Sequence, residues 1–359
     1  MALDLRRAVG LVPEVSEPVG VAVVGLGYWG PNLVRNLQEH PSAEMIAFCD
    51  TREDALAKLA RRYPGAHPTR NVQEILESDD IEAVAIATPV STHYDLARAA
   101  LCAGKHVLVE KPLAASASEA TELAALAEQR GLVLMPGHTF LYSPPVNCIR
   151  DLLLAGELGD IYFVSMSRVN LGLHQPDVSV TWDLGPHDFS MLRYWLDAAP
   201  LYVSATCRRC IIPEIPDVAF IDLEFENGVI AHVELSWLAP SKLRRTTIVG
   251  SQKMLVYDDT SNEPVRLFDS GVLLKGPETF GEYKLTYRTG DIVSPHVPAA
   301  EPLLLEIGDF CESIRYGGAP RSSSALGIDV VQMIEAVDRS LEEEGARVEV
   351  ALGSRLPTA

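Results

Sequence analysis

The segment at residues 25–30 reads Gly-Leu-Gly-Tyr-Trp-Gly, which is the spacing GxGxxG. It follows an apolar run at residues 21–24 and opens a stretch with helical periodicity, which is the context that a phosphate-binding turn requires. Gly25 permits the tight turn, Gly27 lets the backbone approach a pyrophosphate, and Gly30 allows close packing of helix on strand. The unpaired N–H groups of the following helix favour phosphate at the same place. The segment therefore predicts a dinucleotide site.

Asp50 ends a second predicted strand, at residues 44–49, and lies 20 residues after Gly30. A carboxylate at this position accepts hydrogen bonds from ribose hydroxyls and disfavours a 2′-phosphate. Arg52 argues in the opposite direction, because an arginine can pair with a 2′-phosphate. We interpret Arg52 as a solvated side chain of the next helix. The residues thus predict NAD, with NADP as the less favoured cofactor.

Two further segments follow predicted strands of the same sheet: Ala-Thr-Pro-Val-Ser-Thr-His at residues 87–93, and Glu-Lys-Pro at residues 110–112. Ligands of open α/β sheets bind outside the carboxyl ends of the strands, where these segments are expected to lie. Lys111 follows the strand His-Val-Leu-Val-Glu, and desolvation there would favour its neutral form. A surface lysine paired with a carboxylate is the alternative, and spacing alone leaves both interpretations open.

The segment at residues 181–188, Thr-Trp-Asp-Leu-Gly-Pro-His-Asp, places Asp183 and His187 four residues apart. On a helix, residues at this spacing share a face. His187 is therefore a candidate general base, with Asp183 fixing its tautomer. A purely structural histidine is the alternative, and the pair becomes a catalytic candidate only together with Lys111.

These residues need two kinds of scaffold. Continuous apolar runs alternate with helical stretches over residues 18–140, which predicts a doubly wound parallel sheet of the Rossmann type. Beyond residue 140, stretches with period two recur, and Asn227-Gly228 is a hairpin signal. The sequence thus predicts an α/β domain at residues 18–140 and an α+β domain with an antiparallel sheet at 141–359, after a loose arm at 1–17.

Composition excludes several classes of function. The chain of 359 residues has a formal net charge of -19, which disfavours nucleic acid and anionic membranes as partners. No apolar stretch reaches the length of a signal peptide core or a transmembrane helix, and the six scattered cysteines suggest reduced thiols in a cytoplasmic protein. Cys207 and Cys210 form a lone CxxC without further ligands at zinc spacing, so no metal site is expected.

The combined motifs resemble the Gfo/Idh/MocA oxidoreductase family, the glucose-fructose oxidoreductase and inositol 2-dehydrogenase superfamily, over residues 19–345. The resemblance implies a C-terminal domain built on a large open, mostly antiparallel sheet, which forms the interface of a homodimer or homotetramer. It implies catalytic roles for Lys111, Asp183 and His187. The cofactor-binding residues that the motifs and the resemblance together predict are Gly25, Gly27, Tyr28, Trp29, Gly30, Asp50, Thr88, Pro89, His93, Glu110 and Lys111.

The implied reaction is the reversible oxidation of a secondary alcohol of a sugar. His187 would take the hydroxyl proton, Lys111 would bind the same oxygen, and Tyr142 is a reserve acid or base. Segments around residues 137–146 and 236–245 resemble a subgroup associated with nucleotide sugars, with 3-dehydrogenases and 3-ketoreductases among its enzymes. The basic cluster Lys242, Arg244 and Arg245 would then hold a diphosphate, or would merely protect a strand edge.

Arg168 and Asn170 are further candidates to line the sugar pocket. For His174 we favour the alternative, a polar residue on the solvated face of a strand. Three alternatives remain open from the sequence: a free-sugar or inositol dehydrogenase, an NAD-dependent glycosidase, and a non-catalytic NAD-binding regulator. The presence of Lys111, Asp183 and His187 together argues against the regulator. The sequence does not identify the sugar, the carbon oxidised, or the physiological direction.

Overall fold

The computed structural model describes residues 17–172, 174, 178–275 and 284–351. Their contacts divide the chain into two compact units. The first extends to Glu110 and adds Glu122–Gly137 and Leu303–Ser323, and the second comprises Lys111–Thr121, His138–Pro302 and the residues from Ser324 onward. Both units are discontinuous, whereas the sequence predicted one boundary near residue 140. The predicted arm at 1–17 lies outside the described residues except for Glu17.

The first unit is built on a six-stranded parallel sheet. Its strands are β1 (Val19–Val24), β2 (Ala43–Cys49), β3 (His67–Thr69), β4 (Ala83–Ile86), β5 (His106–Glu110) and β6 (Leu134–Gly137). The connecting helices are α1 (Gly30–Glu39), α2 (Glu53–Arg62), α3 (Val72–Glu77), α4 (His93–Cys102) and α5 (Ala117–Arg130). The strand order β3-β2-β1-β4-β5-β6 is that of a doubly wound sheet, which confirms the predicted fold class.

Burial explains why the apolar runs were informative. Every residue of β1 and of β4 is buried. Strands covered by helices on both faces have no solvated side, so they read as continuous apolar runs. The glycine turn follows the carboxyl end of β1, and the segment at residues 87–93 follows the carboxyl end of β4. Both therefore lie at the edge where ligands of such sheets bind.

The second unit contains a nine-stranded sheet in the order β14-β13-β12-β11-β7-β10-β9-β8-β15. Its strands are β7 (Ile161–Leu171), β8 (Pro200–Arg208), β9 (Val218–Phe225), β10 (Ile230–Ser236), β11 (Leu238–Gly250), β12 (Met254–Asp258), β13 (Val265–Lys275), β14 (Lys284–Val293) and β15 (Val348–Glu349). All neighbours are antiparallel except β7 and β10, which run parallel. This sheet confirms the predicted α+β class.

One face of the second sheet packs against helices α6 (Pro144–Leu154) and α7 (Val180–Leu196). Side chains alternate along the strands, so that Ala219, Ile221 and Leu223 of β9 are all buried, whereas Phe220 between them is 42% exposed. The other face therefore carries exposed apolar side chains, and Phe163 of β7 lies opposite Ile230 of β10 in register.

Two helices near the C-terminus belong to different units. Helix α8 (Pro302–Tyr316) groups with the first unit, and helix α9 (Ser324–Glu342) groups with the second. The placement of α8 follows from its contacts: Arg315 binds both carboxylate oxygens of Glu82 at 2.6 Å and the Pro18 carbonyl oxygen at 2.8 Å. Because these partners are more than 200 residues away along the chain, local sequence gave no sign of the grouping.

The sequence prediction omitted five elements, namely β3, α3, β13, β14 and β15. The short elements β3 and β15 span only three and two residues. Strand β13 contains Asp269-Ser270-Gly271, and its pairing with β14 shifts register beside Phe268, so its period is interrupted. Among the described residues, no helix has an apolar stretch long enough to cross a membrane.

All six cysteines are free in the structure. Cys207 lies on β8, whereas Cys210 lies beyond the end of that strand, where its backbone N–H binds Asp217. The CxxC segment is therefore a strand end rather than a continuous strand.

Candidate active site

The turn between β1 and α1 is constrained by steric contact at two of its glycines. Gly25 has a φ of +95°, and a Cβ there would lie 2.6 Å from the Ala87 carbonyl oxygen. A Cβ on Gly30 would overlap the carbonyl oxygen of Gly25. Only glycine fits these two positions without displacement of the backbone, so the turn brings the start of α1 close to the carboxyl edge of the sheet.

Gly27 is different, because a Cβ at this position would meet no atom within 4 Å. Its hydrogen atoms therefore face open space that a ligand can occupy. The first turn of α1 carries Pro31 and no acidic side chain, so nothing there repels a phosphate. The cradle fits the pyrophosphate of a dinucleotide. Tyr28 is 84% exposed beside it, and the Trp29 indole Nε1 is buried without a hydrogen-bond partner in the described part of the chain.

Asp50 follows β2 and forms a hydrogen bond with the backbone of the glycine turn. Its carboxylate accepts hydrogen bonds from the Leu26 N–H at 2.7 Å and from the Arg52 N–H at 2.8 Å. The Arg52 guanidinium also binds this carboxylate, with Nε at 3.1 Å, and donates to the Leu26 carbonyl oxygen. The Arg52 side chain is exposed, as the interpretation of a solvated residue expects, but its guanidinium is also paired with Asp50.

The charge state of Asp50 follows from these contacts. Burial raises the pKa of this carboxyl group, but the hydrogen bonds from Arg52 and Leu26 outweigh burial, so its pKa lies below the ordinary value. Asp50 is thus ionised at neutral pH. An ionised carboxylate suits ribose hydroxyls, while the adjacent guanidinium is the group that a 2′-phosphate would meet.

The segment at residues 87–93 forms a 3-10 turn at Val90–Thr92 before α4. The Thr92 hydroxyl donates to the Pro89 carbonyl oxygen at 2.8 Å, and its oxygen lies within hydrogen-bond distance of the Thr88 hydroxyl, at 2.7 Å. His93 is only 1% exposed, and its Nε2 lies 2.9 Å from the Thr88 carbonyl oxygen. The histidine therefore supports the loop from within, and its direct contact with a cofactor stays a prediction, as do those of Thr88 and Pro89.

Glu110 ends β5 and is half-buried beside Gly137 of β6. The peptide bond between Lys111 and Pro112 is cis. The Lys111 ammonium lies in the second unit, where it donates to the Asp183 backbone carbonyl oxygen at 2.7 Å and to Asp183 Oδ1 at 3.2 Å. Both side chains are less than one-fifth exposed. Lys111 is thus a partly buried amine held by a carboxylate.

Asp183 has a different partner from the one that the sequence predicted. Its second oxygen, Oδ2, accepts a hydrogen bond from the Trp237 indole Nε1 at 3.0 Å. Both carboxylate oxygens are therefore engaged, one with Lys111 and the other with Trp237, and neither fixes the tautomer of His187. The reason is geometric, since Asp183 and His187 share a helix face but the Asp183 carboxylate is held by Lys111 and by Trp237, both in the same unit.

His187 remains available for chemistry. Its Nδ1 is buried and has no hydrogen-bond partner among the described residues. The ring stands edge-on to Phe140 with a centroid distance of 4.9 Å. Burial, followed by the nearby charges of Lys111 and Arg168, holds the pKa of His187 well below its ordinary value of 6.5. The imidazole is therefore neutral at physiological pH and has a lone pair that can accept a proton.

His138 is a second buried histidine that the sequence analysis did not single out. It is 1% exposed, and both ring nitrogens lack partners in the described ranges. Burial and then the Lys111 charge lower the pKa of His138 to about 3. The only sequence signal was its position after β6, at the carboxyl edge of the sheet, in the segment Gly-His-Thr-Phe.

Two arginines lie near the same aromatic ring. The guanidinium of Arg168 lies 4.5 Å from the centroid of Phe140, and that of Arg244 lies 5.9 Å from it. Asp188 binds Arg168 through Nε at 2.6 Å and Nη2 at 3.1 Å, and Asp259 binds Arg244 Nη1 at 3.1 Å. Both arginines, predicted as substrate-binding residues, are thus close to His187.

The remaining predicted substrate residues are dispersed. Alternation along β11 turns Arg244 toward the helix-covered face, whereas Arg245 is exposed on the opposite face, and Lys242 lies exposed in a bulge before it. The predicted basic cluster is therefore divided. Asn170 lies on the same face of β7 as Arg168 and is half-buried, and Tyr142 is 2% exposed in a 3-10 turn.

The cluster places a neutral imidazole and two arginines around one phenyl ring, with the charge of Lys111 close to the imidazole. Such a set can bind the oxygen of an alcohol or ketone and move a proton to or from it. No group of three metal-ligating side chains converges in the part of the chain that the structure describes.

Comparison with known proteins finds a family model for a segment of each unit, and both models describe the same family. Residues 19–138 match the model of the oxidoreductase family with an NAD-binding Rossmann fold, and residues 146–256 match the GFO/IDH/MocA C-terminal domain. Together these models match more than half of the chain.

Two curated relatives and one solved structure are informative. A dTDP-3,4-didehydro-2,6-dideoxy-alpha-D-glucose 3-reductase of Actinomadura kijaniata is 31% identical over 61% of this chain and 62% of its own. The scyllo-inositol 2-dehydrogenase (NADP+) IolW of Bacillus subtilis strain 168 is 26% identical over 91% of this chain and 95% of its own. The crystal structure of GenD2 from gentamicin A biosynthesis in complex with NAD is 26% identical, with a TM-score of 0.80, and covers 95% of this chain and 99% of GenD2.

The glycine cradle, the Lys111–Asp183 contact and the matches over both units agree: this chain belongs to the GFO/IDH/MocA family and is an oxidoreductase that uses a nicotinamide dinucleotide.

Proposed function

We propose that the protein interconverts a secondary alcohol and a ketone on a sugar, and that the sugar is nucleotide-linked, as for a 3-dehydrogenase or 3-ketoreductase. The observation that carries the proposal is the pairing of Lys111 with Asp183 in the same unit as a neutral His187, whose Nδ1 has no hydrogen-bond partner among the described residues. An amine donor and a vacant imidazole nitrogen are the two groups that proton transfer at one substrate oxygen requires.

The nicotinamide ring supplies the hydride chemistry when the dinucleotide is bound. In alcohol oxidation, the neutral His187 accepts the hydroxyl proton while the substrate carbon gives up its hydride. The Lys111 ammonium donates a hydrogen bond to the same oxygen and stabilises the negative charge that develops there. Asp183 keeps the ammonium in position through its carboxylate and its backbone carbonyl. In ketone reduction the same proton returns from the imidazolium.

The cofactor in this proposal is NAD. The ionised Asp50 at the end of β2 disfavours a 2′-phosphate, and GenD2, a neighbour in fold, binds NAD in its crystal structure. Arg52 lies against the same carboxylate and is the residue through which NADP would bind instead. The relative from Bacillus subtilis is named for NADP+, so titration of both dinucleotides tests this choice directly.

Two substrate classes compete. The similarity to a dTDP-sugar 3-reductase supports a nucleotide sugar. The similarity to a scyllo-inositol dehydrogenase, which extends over 91% of this chain, supports a free cyclic polyol as the second candidate. Both classes present a ring carbon with a hydroxyl group, so the catalytic residues named above serve either.

A substrate panel decides between them. Purified protein with NAD+ or NADP+ is offered dTDP- and UDP-hexoses, the corresponding free hexoses, and inositols, and NADH or NADPH formation is followed by absorbance. We expect kcat/KM for one nucleotide sugar to exceed that for its free sugar by about a hundredfold, because binding energy from the nucleotide contributes to the transition state. Faster turnover of inositols would favour the second candidate, and bond cleavage without reduced cofactor would indicate the glycosidase alternative.

We also propose that the open face of the second sheet binds a second copy of the chain. Phe163, Phe220 and Ile230 are each more than 40% exposed on this face, and an extended apolar sheet face is commonly covered by a symmetry-related copy. Sedimentation of the wild type should give a dimer or tetramer, and Phe163→Glu with Ile230→Glu should give a folded monomer. A wild-type monomer would contradict this part of the proposal.

A further inference from the structure

The two arginines beside Phe140 meet across neighbouring strands. Arg168 on β7 lies directly opposite Arg244 on β11 in the antiparallel register. Like charges in this position repel each other unless each has its own counterion. Asp188 and Asp259 provide these counterions, one for each guanidinium. Lys111 is likewise paired with Asp183, so the three cations near His187 are balanced by three carboxylates.

Each guanidinium nevertheless retains a donor that no described residue accepts. Arg168 Nη1 and Arg244 Nε are both buried without a hydrogen-bond partner in the described ranges. The Arg168 side chain is only 3% exposed, so its Nη1 cannot rely on bulk water. Buried donors are almost always paired in folded proteins. An acceptor from a bound molecule is therefore expected at this point.

That acceptor would belong to the molecule that reaches His187. Phe140 contacts all three groups, with centroid distances of 4.5 Å to Arg168, 5.9 Å to Arg244 and 4.9 Å to the His187 ring. The two guanidinium groups and the imidazole thus lie around one aromatic ring. A sugar whose reacting hydroxyl contacts His187 would bring a neighbouring oxygen to the arginines.

We propose that Arg168 and Arg244 form a hydroxyl-binding subsite that selects a sugar with a free hydroxyl group close to the reacting carbon. The inference rests on the proposed function and deepens it. Because every nearby cation already has a carboxylate, a phosphate placed here would be a buried anion without a countercharge, which is strongly unfavourable. A hydroxyl oxygen accepts from both donors without adding charge. The diphosphate of a nucleotide sugar therefore lies outside this subsite.

The test compares Arg244→Met with Arg245→Met. These residues are adjacent in β11, but Arg245 is exposed on the opposite face, so its replacement controls for loss of charge on the same strand, provided that sedimentation shows the same oligomer as for the wild type. Arg168 is not the first choice, because its removal would leave the Asp188 carboxylate buried without its partner. The best sugar from the substrate panel and each of its monodeoxy analogues are assayed with wild type and both variants.

With the wild type, we expect kcat/KM for one analogue to be at least about a hundredfold lower than kcat/KM for the parent sugar. A site built to bind a hydroxyl group rejects the analogue that lacks it. Arg244→Met should lose activity toward the parent sugar and discriminate between parent and analogue by less than about threefold. Arg245→Met should behave as wild type. Undiminished discrimination by Arg244→Met toward every analogue would overturn the proposal.

Calorimetry separates this inference from the function on which it rests. If no sugar is turned over, the proposed function fails, and equilibrium binding of scyllo-inositol and of pyrophosphate still tests the subsite. Binding of scyllo-inositol that is lost in Arg244→Met and retained in Arg245→Met supports a hydroxyl subsite. Absence of scyllo-inositol binding, or pyrophosphate binding that depends on Arg244, overturns it.

Discussion

The glycine turn of the first unit and the side-chain cluster of the second unit, which comprises the residues around Phe140 together with Lys111 and Asp183, offer different chemical groups to a ligand. The turn at residues 25–30 offers backbone: two glycines pack it against its surroundings and Gly27 leaves open space for a ligand. The cluster offers side chains from separate elements, and Lys111 and Asp183 in it are 72 residues apart. A site made of backbone groups can be recognised from a short sequence motif. A site made of side chains depends on which distant residues the fold brings together.

The difference also separates two tasks. The turn should affect only how tightly the dinucleotide binds, and the cluster should affect only turnover of the substrate. Variants in each region should therefore change one of these two quantities and leave the other unchanged.

The largest effect is expected from Lys111→Met. Removal of the ammonium eliminates the donor to the substrate oxygen, and kcat should fall about a thousandfold, within the range of acid–base and polarising groups. The dissociation constant of NAD, measured by fluorescence titration, should stay within about twofold, a change of less than about 0.5 kcal/mol. Lys253→Met is the matched control, because this lysine pairs with Glu157 elsewhere in the unit. Turnover near wild type for Lys111→Met would remove the lysine from the mechanism.

A smaller effect is expected from Trp237→Phe, which deletes the indole donor to Asp183 Oδ2. A hydrogen bond to a charged acceptor contributes about 1.5–3 kcal/mol, so kcat should fall by about ten- to a hundredfold as Asp183 and Lys111 lose their fixed geometry. Trp182→Phe is the control, because that indole donates to Asp338 instead. Equal losses in the two variants would mean that general packing, rather than the position of Lys111, is responsible.

Gly27→Ala addresses the turn. Since the added methyl group meets no protein atom within 4 Å, the fold should be retained. The methyl group does obstruct the approach of the pyrophosphate, and NAD affinity should fall about tenfold, or about 1.4 kcal/mol. Gly65→Ala, at a second glycine with equally open surroundings, should leave the affinity unchanged. A fall in kcat at saturating NAD would break the separation between the two regions.

The smallest effect concerns stability. The pKa of His138 is about 3 in the folded protein against an ordinary 6.5. Below pH 6.5 the unfolded chain binds a proton at this residue that the folded chain does not, so stability falls with decreasing pH until about pH 3. His138→Gln should abolish this contribution, which is about 1.4 kcal/mol per pH unit.

Urea unfolding at pH 7.5 and 5.5, followed by tryptophan fluorescence, measures this contribution. Three of the four tryptophans, Trp182, Trp195 and Trp237, lie in the same unit as His138. The loss of stability between the two pH values should be smaller for His138→Gln than for wild type. The same loss in both proteins would show that His138 is protonated in the folded state.

The predictions from sequence were accurate where local pattern suffices. Buried strands read as apolar runs, so β1 and β4 were recognised, and the strand–turn–helix context located the glycine cradle. Strands β13 and β14 were missed because polar residues and glycine interrupt their period. The grouping of helix α8 with the first unit was not visible in the sequence, since its packing depends on Arg315 and Glu82, which are 233 residues apart.

Local sequence patterns were sufficient to predict the two fold classes, the turn at residues 25–30, Asp50 at a strand end, and the shared helix face of Asp183 and His187. Each follows from steric and periodic rules that act over a few residues. The tertiary structure pairs Asp183 with Lys111 and Trp237 rather than with His187, places Arg168 opposite Arg244, and buries both ring nitrogens of His138 without a partner among the described residues. These facts depend on strand register and helix docking, which join residues that no local pattern connects.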